Sequence, residues 1–385
     1  MTTHKKRLPK PTPLVECFEG LPDPRMDRTR RHNLVDILVI GLATILTGGN
    51  GFTDMELFGR TRQDWLKTFL ELPNGIPSHD TFNRVFSALD PHAFLDCFAR
   101  WVQGICPTLS EEVVAIDGKA LRRALNAGES IPYIVSAWAS ENGLVLGQVK
   151  VDEKSNEITA IPELLRVLLL KGCIVTIDAM GCQKDIAANI IDQQAHYVLA
   201  LKGNHATVHD EVRTFFQDAV PPCATECADT AQSEKMDFHQ TIEKGHGRIE
   251  TRRYWQSTDI DWFEDNSLWK ALTSFGMVES IRSVKGKNTI ERRFYLSSLP
   301  LDAKLFAKAV RGHWGVENNL HWALDVTFRE DDSRARTRNA AQNVATLRRI
   351  TLNLIQKDRT KNCSLRAKRY IASIDPAFLQ HLLGI

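Results

Sequence analysis

Apolar residues in the first hundred positions recur with the period of an α-helix. The first run begins at Leu34 and stops at Gly48 and Gly49, which are typical residues for the end of a helix. Four helices are predicted in this part of the chain: 34–47, 53–72, 78–89 and 91–105. Together they predict a helical N-terminal domain over residues 32–110, preceded by a polar arm over residues 1–31.

A short turn joins the second and third predicted helices. Residues 73–77 hold two prolines, an asparagine and a glycine, and Ser78 is a suitable N-cap for the helix that follows. Because the third helix is rich in Ser, His, Thr, Asn and Arg, one interpretation is a helix-turn-helix that binds DNA. The other interpretation is a plain helical bundle, and the pattern leaves both open.

After Ser110 the period changes, and short apolar runs typical of strands begin. Five strands are predicted: 113–118, 131–140, 143–151, 173–181 and 196–204. Two helices are predicted between them: 157–170 and 183–194. A hairpin-linked group of three strands followed by right-handed crossovers predicts an α/β fold, with a mixed five-stranded sheet and helices on both faces.

Length and composition are those of a folded protein with more than one domain. The chain has 385 residues, enough for two to three domains of roughly 150 residues each. Residues 33–49 are apolar but shorter than the roughly 20 residues a bilayer requires, and they contain Asp36, so a core helix is predicted there. The N-terminus lacks the apolar stretch of a secretory signal. We therefore expect a cytoplasmic protein without a membrane segment.

The cysteine pattern suits a reducing compartment. Eight cysteines are scattered along a chain long enough to need no disulfides, which favours free thiols. One spacing is compatible with zinc, because two histidines and two cysteines each lie four residues apart, at His205, His209, Cys223 and Cys227. These residues fall in a polar stretch of low periodicity, so a solvated loop is the alternative.

Positive charge is concentrated near the C-terminus. The whole chain has 49 Lys and Arg against 47 Asp and Glu, a net charge of +2. Between residues 334 and 370, eleven basic residues stand against the single acid Asp358: Arg334, Arg336, Arg338, Arg348, Arg349, Lys357, Arg359, Lys361, Arg366, Lys368 and Arg369. This bias is typical of phosphate-backbone contacts. The alternative is a solvated helical face.

Two aspartates are predicted at the ends of buried strands. Asp117 and Asp178 each follow four apolar residues, and the predicted topology makes their strands neighbours. Buried carboxylates need compensation, and an adjacent pair favours a divalent cation. Oxygen ligands suit Mg²⁺ or Mn²⁺, and a pair of such ions is the usual apparatus for displacement at phosphorus. Taken singly, each aspartate is also compatible with a helix N-cap.

A third ligand is predicted on a later helix. His313, Glu317 and His321 recur every four residues from a helix that begins near Asp302, so they share one face. We expect Glu317 to complete the metal site rather than Asp325, which lies about 80° around that helix, or Glu330, which is predicted beyond the end of the helix. A surface helix held by salt bridges is the alternative.

Several strings around these acids resemble the DDE-class transposases of bacterial insertion sequences, in the branch that includes the H-repeat-associated proteins. The strings are IDGK at Asp117, DEKSNEITAIPELL at 152–165, TIDAMGCQKDIA at Asp178, LKGN at Lys202, HGRxExR at 246–252, RRFYLSSL at 292–299 and RxHWxVENxLHWxLDVxFxEDxxRxR at Glu317. The similarity covers nearly the full length and extends over the N-terminal segment from LPDPR to GIPSHDTFNRVF.

The resemblance implies a ribonuclease H-like catalytic domain over residues 111–355, with Asp117, Asp178 and Glu317 holding two Mg²⁺ or Mn²⁺ ions. It also implies a β-rich insertion at about 205–298 and leaves a basic helical tail at 356–385. Related transposases carry Arg four residues before the Glu and Lys seven after it. His313 and Leu324 stand at those places here, so no hairpin step is inferred.

The predicted function is a DNA transposase that cleaves element ends and joins them to target DNA. Double-stranded DNA is the expected partner, a homodimer on DNA the expected assembly and the bacterial nucleoid the expected place. The candidate phosphate contacts are Lys119, Lys202, Arg311, His313, Arg348 and Arg349. A metal-dependent nuclease that cuts without joining and a non-catalytic DNA-binding descendant are the alternatives. Trp255, Trp262 and Trp269 are predicted either to stack an unpaired base or to fill the core of the insertion.

Overall fold

A computed structural model describes residues 14–106, 109–124, 131–151, 157–220, 234–245, 247–284 and 287–385. Its α-helices are α1 Leu14–Glu19, α2 Leu34–Leu46, α3 Phe52–Thr61, α4 Gln63–Leu66, α5 His79–Ala88, α6 Pro91–Ile105, α7 Glu157–Val167, α8 Lys184–Asp192, α9 Ala206–Ala219, α10 Ala303–Gly315, α11 Ala340–Lys357, α12 Leu365–Ile374 and α13 Pro376–Leu383. Its strands are β1 Val113–Ala120, β2 Tyr133–Ala139, β3 Leu144–Val151, β4 Ile174–Ile177, β5 His196–Leu201, β6 Met236–Gly245, β7 Arg248–Ser257, β8 Ser274–Val284 and β9 Lys287–Ser297.

Helix α2 packs against α1, α3, α11, α12 and α13. It is buried along almost its whole length because its sequence is apolar on every side. Its one acid, Asp36, accepts a hydrogen bond from the Leu72 backbone at 3.0 Å. The predicted helix over 53–72 is interrupted at Arg62, where α3 ends and α4 begins. The Arg62 guanidinium donates to the Ser373 carbonyl at 3.0 Å and so ties this break to α12.

All described strands form one nine-stranded sheet in the order β3-β2-β1-β4-β5-β9-β8-β7-β6. The five strands predicted from the sequence are present, and β1 is the parallel neighbour of β4, as predicted. The prediction of a five-stranded sheet is wrong, because β9 pairs antiparallel with β5 and the strands of the insertion continue the same sheet. β5 is therefore an internal strand with its backbone donors and acceptors paired on both sides.

Helix α11 joins the helical and sheet regions. It packs on α2, α5 and α6 and also on β3. Its Asn353 side chain accepts from the Val145 backbone N–H and donates to the Val145 carbonyl, both at 2.8 Å. The N-terminal helices, the first five strands and α11 consequently share one hydrophobic core.

Candidate active site

Strand register brings Asp117 and Asp178 side by side. In the parallel pair β1–β4, Ile116 is opposite Ile177, so the next residues on the two strands are level. Asp117 does not terminate its strand as predicted, since β1 continues to Ala120 and pairs with β2 there. Asp178 does follow the end of β4, where its Oδ1 accepts from the Met180 backbone at 3.1 Å. The N-cap expected as an alternative is therefore present at Asp178.

Helix α10 packs on β1 and β4 and leads directly into the segment that carries Glu317. The Asp302 side chain caps its first turn by accepting from the Leu305 backbone at 2.8 Å. Gly312 allows a close approach to β1, because a Cβ there would stand 2.7 Å from a Val113 methyl carbon. The Ser140 hydroxyl also donates to the Gly312 carbonyl at 2.8 Å. These contacts fix the helix against the strand that bears Asp117.

The chain around Glu317 is π-helical rather than α-helical. After Gly315 the helix widens over Val316–His321 and again over Ala323–Thr327. The prediction that placed Asp325 at 80° from Glu317 assumed 100° per residue, which does not apply here. Single π-helical turns occur frequently at functional sites. The Glu317 side chain is exposed, while Val316 and Leu320 beside it are buried.

The predicted ligands lie close enough to affect each other's charge. Burial raises the pKa of Asp117 to about 7, and the charges of Asp178, Glu157 and Glu317 contribute to the rise. Like charges shift a carboxyl pKa in this way at short range. In the part of the chain that the structure describes, no three acid, histidine or cysteine side chains are already arranged around a common metal position.

Glu157 is a fourth carboxylate that sequence reasoning did not assign to the site. It is the first residue of α7, and burial and the charge of Asp178 raise its pKa. Its sequence signal was that of an ordinary acid in the first turn of a helix. The signal that could have found it is its place directly after β3, on the crossover that returns to β4.

Two histidines flank Glu317, and both are neutral at pH 7. Burial lowers the pKa of His313 to about 4, and its Nδ1 forms a hydrogen bond with the Thr176 hydroxyl at 3.1 Å. Burial, assisted by Arg349 and Lys119, lowers the pKa of His321 to about 4. The Nδ1 atom of His321 lies 3.6 Å from Asp117 Oδ2. The phosphate contact of His313 stays a prediction, and with Nδ1 bonded to Thr176 only Nε2 is left to make it.

Comparison with known proteins identifies the family. A model described as "Transposase DDE domain" matches residues 108–354, and one described as "DDE_Tnp_1-associated" matches residues 15–102. The chain belongs to the DDE transposase family.

Several relatives in this family align over nearly the full length. The chain is 39% identical to "Putative transposase YncI" of Escherichia coli O157:H7, over 96% of this chain and 94% of the relative. It is 38% identical to "H repeat-associated putative transposase YhhI" of Escherichia coli K12, over 96% and 97%. A solved piggyBac transposase synaptic complex with hairpin DNA has a TM-score of 0.44 at 12% identity, covering 96% of this chain and 76% of that one.

In this member of the DDE transposase family, Lys119 is bound to acids inside the protein. Its side chain is 7% exposed, and its Nζ lies 2.7 Å from Asp325 Oδ1, 2.9 Å from Asp331 Oδ1 and 3.8 Å from Glu330 Oε2. The predicted phosphate contact of Lys119 is corrected accordingly. The same contacts give Asp325 and Glu330 a cation, which separates them from Glu317.

Arg348 and Arg349 belong to α11 and are buried in the protein interior. Their predicted contact with DNA phosphates is therefore corrected too. The Arg349 Nη1 lies 2.7 Å from Glu330 Oε1, and both side chains are 0% exposed. Arg348 donates to the Asn50 carbonyl at 3.2 Å. Lys368 and Arg369 of the same basic segment are also buried. Four of the eleven basic residues therefore stabilise the protein interior instead of facing a partner.

The remaining predicted contacts, Lys202 and Arg311, are exposed. Lys202 follows the end of β5, and Arg311 Nη2 lies 3.1 Å from Glu243 Oε1. Arg311 and Trp314 open onto a groove of about 540 Å³ between α10 and the face of β7, β8 and β9. Five arginines line this groove: Arg248, Arg252, Arg282, Arg293 and Arg311.

The tryptophans of the insertion lie in its core. Trp255 and Trp269 are each 2% exposed. Trp262 lies 5.2 Å from the rings of both Phe215 and Phe275, measured between centroids. These positions favour the core-filling interpretation over base stacking.

Two of the four residues in the zinc-compatible spacing, Cys223 and Cys227, lie outside the described residues. The two histidines already have contacts within the protein. His205 Nε2 lies 2.6 Å from the Cys182 carbonyl oxygen, and His209 packs edge-on against Phe294.

No helix in the described ranges combines the length and apolar character needed to cross a bilayer.

Proposed function

We propose that the chain is a DNA transposase that cleaves the ends of an insertion sequence and joins them to target DNA. The observation that carries this proposal is that Asp117 on β1, Asp178 at the end of β4 and Glu317 after α10 lie near enough for the charges of Asp178 and Glu317 to raise the pKa of Asp117. These residues lie within the part of the chain that matches the DDE domain. We assign them to a ribonuclease H-like catalytic domain over 111–355.

The side chains at this position fit a hard divalent cation. Carboxylate oxygens are the ligands that Mg²⁺ and Mn²⁺ prefer. The neighbouring His321 is neutral and supplies no positive charge, and its buried Nε2 has no hydrogen-bond partner among the described residues. Asp117, Asp178 and Glu317 are the residues that would hold one or two such ions. When bound, such ions activate a water or a 3′-hydroxyl and neutralise charge at the phosphate.

The protein's own contribution is to hold these oxygens at fixed positions. Asp117 is fixed by the ladder to β2 and follows directly on the ladder to β4, and Asp178 is fixed by its bond to the Met180 backbone. Glu317 projects from a helix seated on β1. Rigid elements of this kind place reacting groups accurately, which is a large part of catalysis by positioning.

The groove beside α10 gives the substrate strand a path to these acids. Five arginines line it, and Asn318, next to Glu317, is also one of its lining residues. We propose that Lys202 and these arginines contact DNA phosphates, and that the N-terminal helices recognise the element ends in a homodimer. Incubating the protein with DNA that carries the flanks of its own gene and Mg²⁺, then mapping new 3′ ends, tests the proposed cleavage.

Arg282→Ala is expected to weaken binding to all DNA sequences alike. Arg282 is exposed in the groove and has no acid partner among the described residues. Loss of one phosphate contact should reduce the slope of log binding constant against log salt by about 0.9. Arg213→Ala removes an arginine on α9 that is paired with Asp210 and should leave the slope unchanged. Identical slopes for both variants and the wild type would remove Arg282 from the DNA path.

Asp117→Asn is expected to stabilise the metal-free protein at pH 8. The pKa of Asp117 is raised from 3.8 to about 7 in the folded protein, so stability is lost as the pH rises between these values. Asparagine removes that loss and should raise the melting temperature by about 3 °C or more, since roughly 1 kcal/mol corresponds to 2–4 °C. At pH 4 the two proteins should melt together. A lower melting temperature for Asp117→Asn at pH 8 would contradict this expectation.

A further inference from the structure

The carboxylate of Glu157 occupies space that a glycine leaves open beside Asp117. A Cβ at Gly118 would stand 2.1 Å from Glu157 Oε1 and 2.7 Å from Glu157 Cδ. Since no side chain fits there while Glu157 keeps its position, the first turn of α7 lies directly against the strand that carries Asp117. The contact is at the residue immediately after that aspartate.

The same helix also lies against the turn that carries Asp178. A Cβ at Gly181 would stand 2.8 Å from Ile161 Cδ1, one turn further along α7. The helix therefore touches the chain just after both aspartates. This packing places Glu157 against β1 at Gly118, one helical turn before the residue that contacts the turn after β4.

No cation neutralises Glu157 within the described residues. Asp325, for comparison, lies 2.7 Å from the Lys119 ammonium nitrogen. Glu157 is partly buried and lies near the like charge of Asp178. A carboxylate in such surroundings is unfavourable unless a cation is bound there.

We propose that Glu157 is a fourth carboxylate ligand of the divalent-metal centre, joining Asp117 and Asp178. This inference rests on the proposed function, which supplies the metal. Three features support this proposal. Glu157 has no neutralising cation among the residues that the structure describes, Gly118 leaves room for its carboxylate, and the two neighbouring strands β1 and β4 lead to the carboxylates of Asp117 and Asp178. Glu157 reaches the centre from α7, whereas Glu317 reaches it from the helix after the insertion.

Binding of Mn²⁺ to the full-length protein without DNA tests the inference independently of activity. Free Mn²⁺ is measured by electron paramagnetic resonance during titration. Four proteins are compared: wild type, Glu157→Gln, Glu163→Gln and Asp117→Asn. Glu157→Gln should weaken Mn²⁺ binding by about tenfold or more, since even outer-sphere partners of a metal contribute 10–100-fold. Glu163→Gln removes an acid from the same helix and should bind Mn²⁺ as the wild type does.

The outcomes separate this inference from the proposed function. Wild-type affinity in Glu157→Gln together with weakened binding in Asp117→Asn would overturn the role of Glu157 and leave the metal centre standing. Saturable binding in none of the four proteins would overturn the metal centre and this inference together. Should Glu157→Gln fail to fold, Glu157→Asp keeps the charge but withdraws it by one methylene. It should show a smaller loss of affinity, and wild-type affinity would count against the proposal.

Discussion

Glu317→Gln is expected to reduce Mg²⁺-dependent DNA cleavage by about a thousandfold while leaving DNA binding near the wild-type level. The substitution keeps the volume of the side chain but removes the charge that holds a cation. Losing roughly 4 kcal/mol of transition-state stabilisation corresponds to about three factors of ten in rate. Because Glu317 is exposed and its helix is held by Val316 and Leu320, folding should be unaffected. Single-turnover cleavage and a gel-shift titration on the same DNA measure the two effects.

Asp325→Asn is the matched control for Glu317→Gln. Asp325 lies eight residues further along and is paired with Lys119 at 2.7 Å, so it should not be a metal ligand. Measurable cleavage should persist in this variant. Cleavage by Glu317→Gln combined with its loss in Asp325→Asn would move the third ligand down the helix and refute the assignment.

Arg349→Ala is expected to lower the free energy of unfolding by about 3–5 kcal/mol. The guanidinium is the buried partner of Glu330 at 2.7 Å, and removing it leaves that carboxylate in the core with only the more distant Lys119 Nζ, at 3.8 Å, as an ion-pair partner among the described residues. Urea unfolding followed by circular dichroism measures the loss. Removing one partner of a buried ion pair costs more free energy than the intact pair contributes to stability, because the desolvation of both charges opposes their attraction.

Arg366→Ala provides the comparison within the same basic segment. Arg366 is exposed on α12, so its removal should change stability by about 0.5 kcal/mol or less. The double variant Arg349→Met/Glu330→Gln removes both charges and should recover most of the stability lost in Arg349→Ala. Unchanged stability in Arg349→Ala, accompanied by weaker DNA binding, would return Arg349 to the DNA surface.

Charge counting along the chain could not distinguish the buried Arg348 and Arg349 from exposed basic residues. Both belong to a segment with eleven basic residues and one acid, a pattern typical of a surface that contacts phosphates. Burial of Arg349 depends on Glu330, which precedes α11, and burial of Arg348 depends on the distant Asn50 carbonyl. Tertiary pairing of this kind leaves no local pattern in the sequence.

The size of the sheet was underestimated for a related reason. The strands of the insertion are 10 or 11 residues long, yet only the half nearest β5 is buried in β8 and β9. Their outer halves alternate weakly and carry many charges, so they lack the apolar pattern that marks β1 to β5. β9 pairs with β5 because the chain returns to the sheet at the end of the insertion. This pairing could not be predicted from local periodicity.

The two aspartates were predictable because strand pattern and sheet topology determine their register. Glu317 was predicted as the third ligand from its spacing from two histidines and from the family resemblance, and its segment is π-helical rather than α-helical. Glu157 was missed, because an acid at the start of a helix is common. Its proposed role rests on the packing of α7 against Gly118, which no local pattern in the sequence indicates.

A strand-transfer assay with a pre-cut element end tests the central claim most directly. The substrate is the gene's own flanking DNA with a free 3′-hydroxyl, and the target is a supercoiled plasmid in the presence of Mg²⁺. The wild-type protein should join the end covalently to the plasmid, and Glu317→Gln should yield no joined product while still binding the end. Wild-type protein that binds and cuts the DNA but never joins it to the plasmid would contradict a transposase and favour a nuclease.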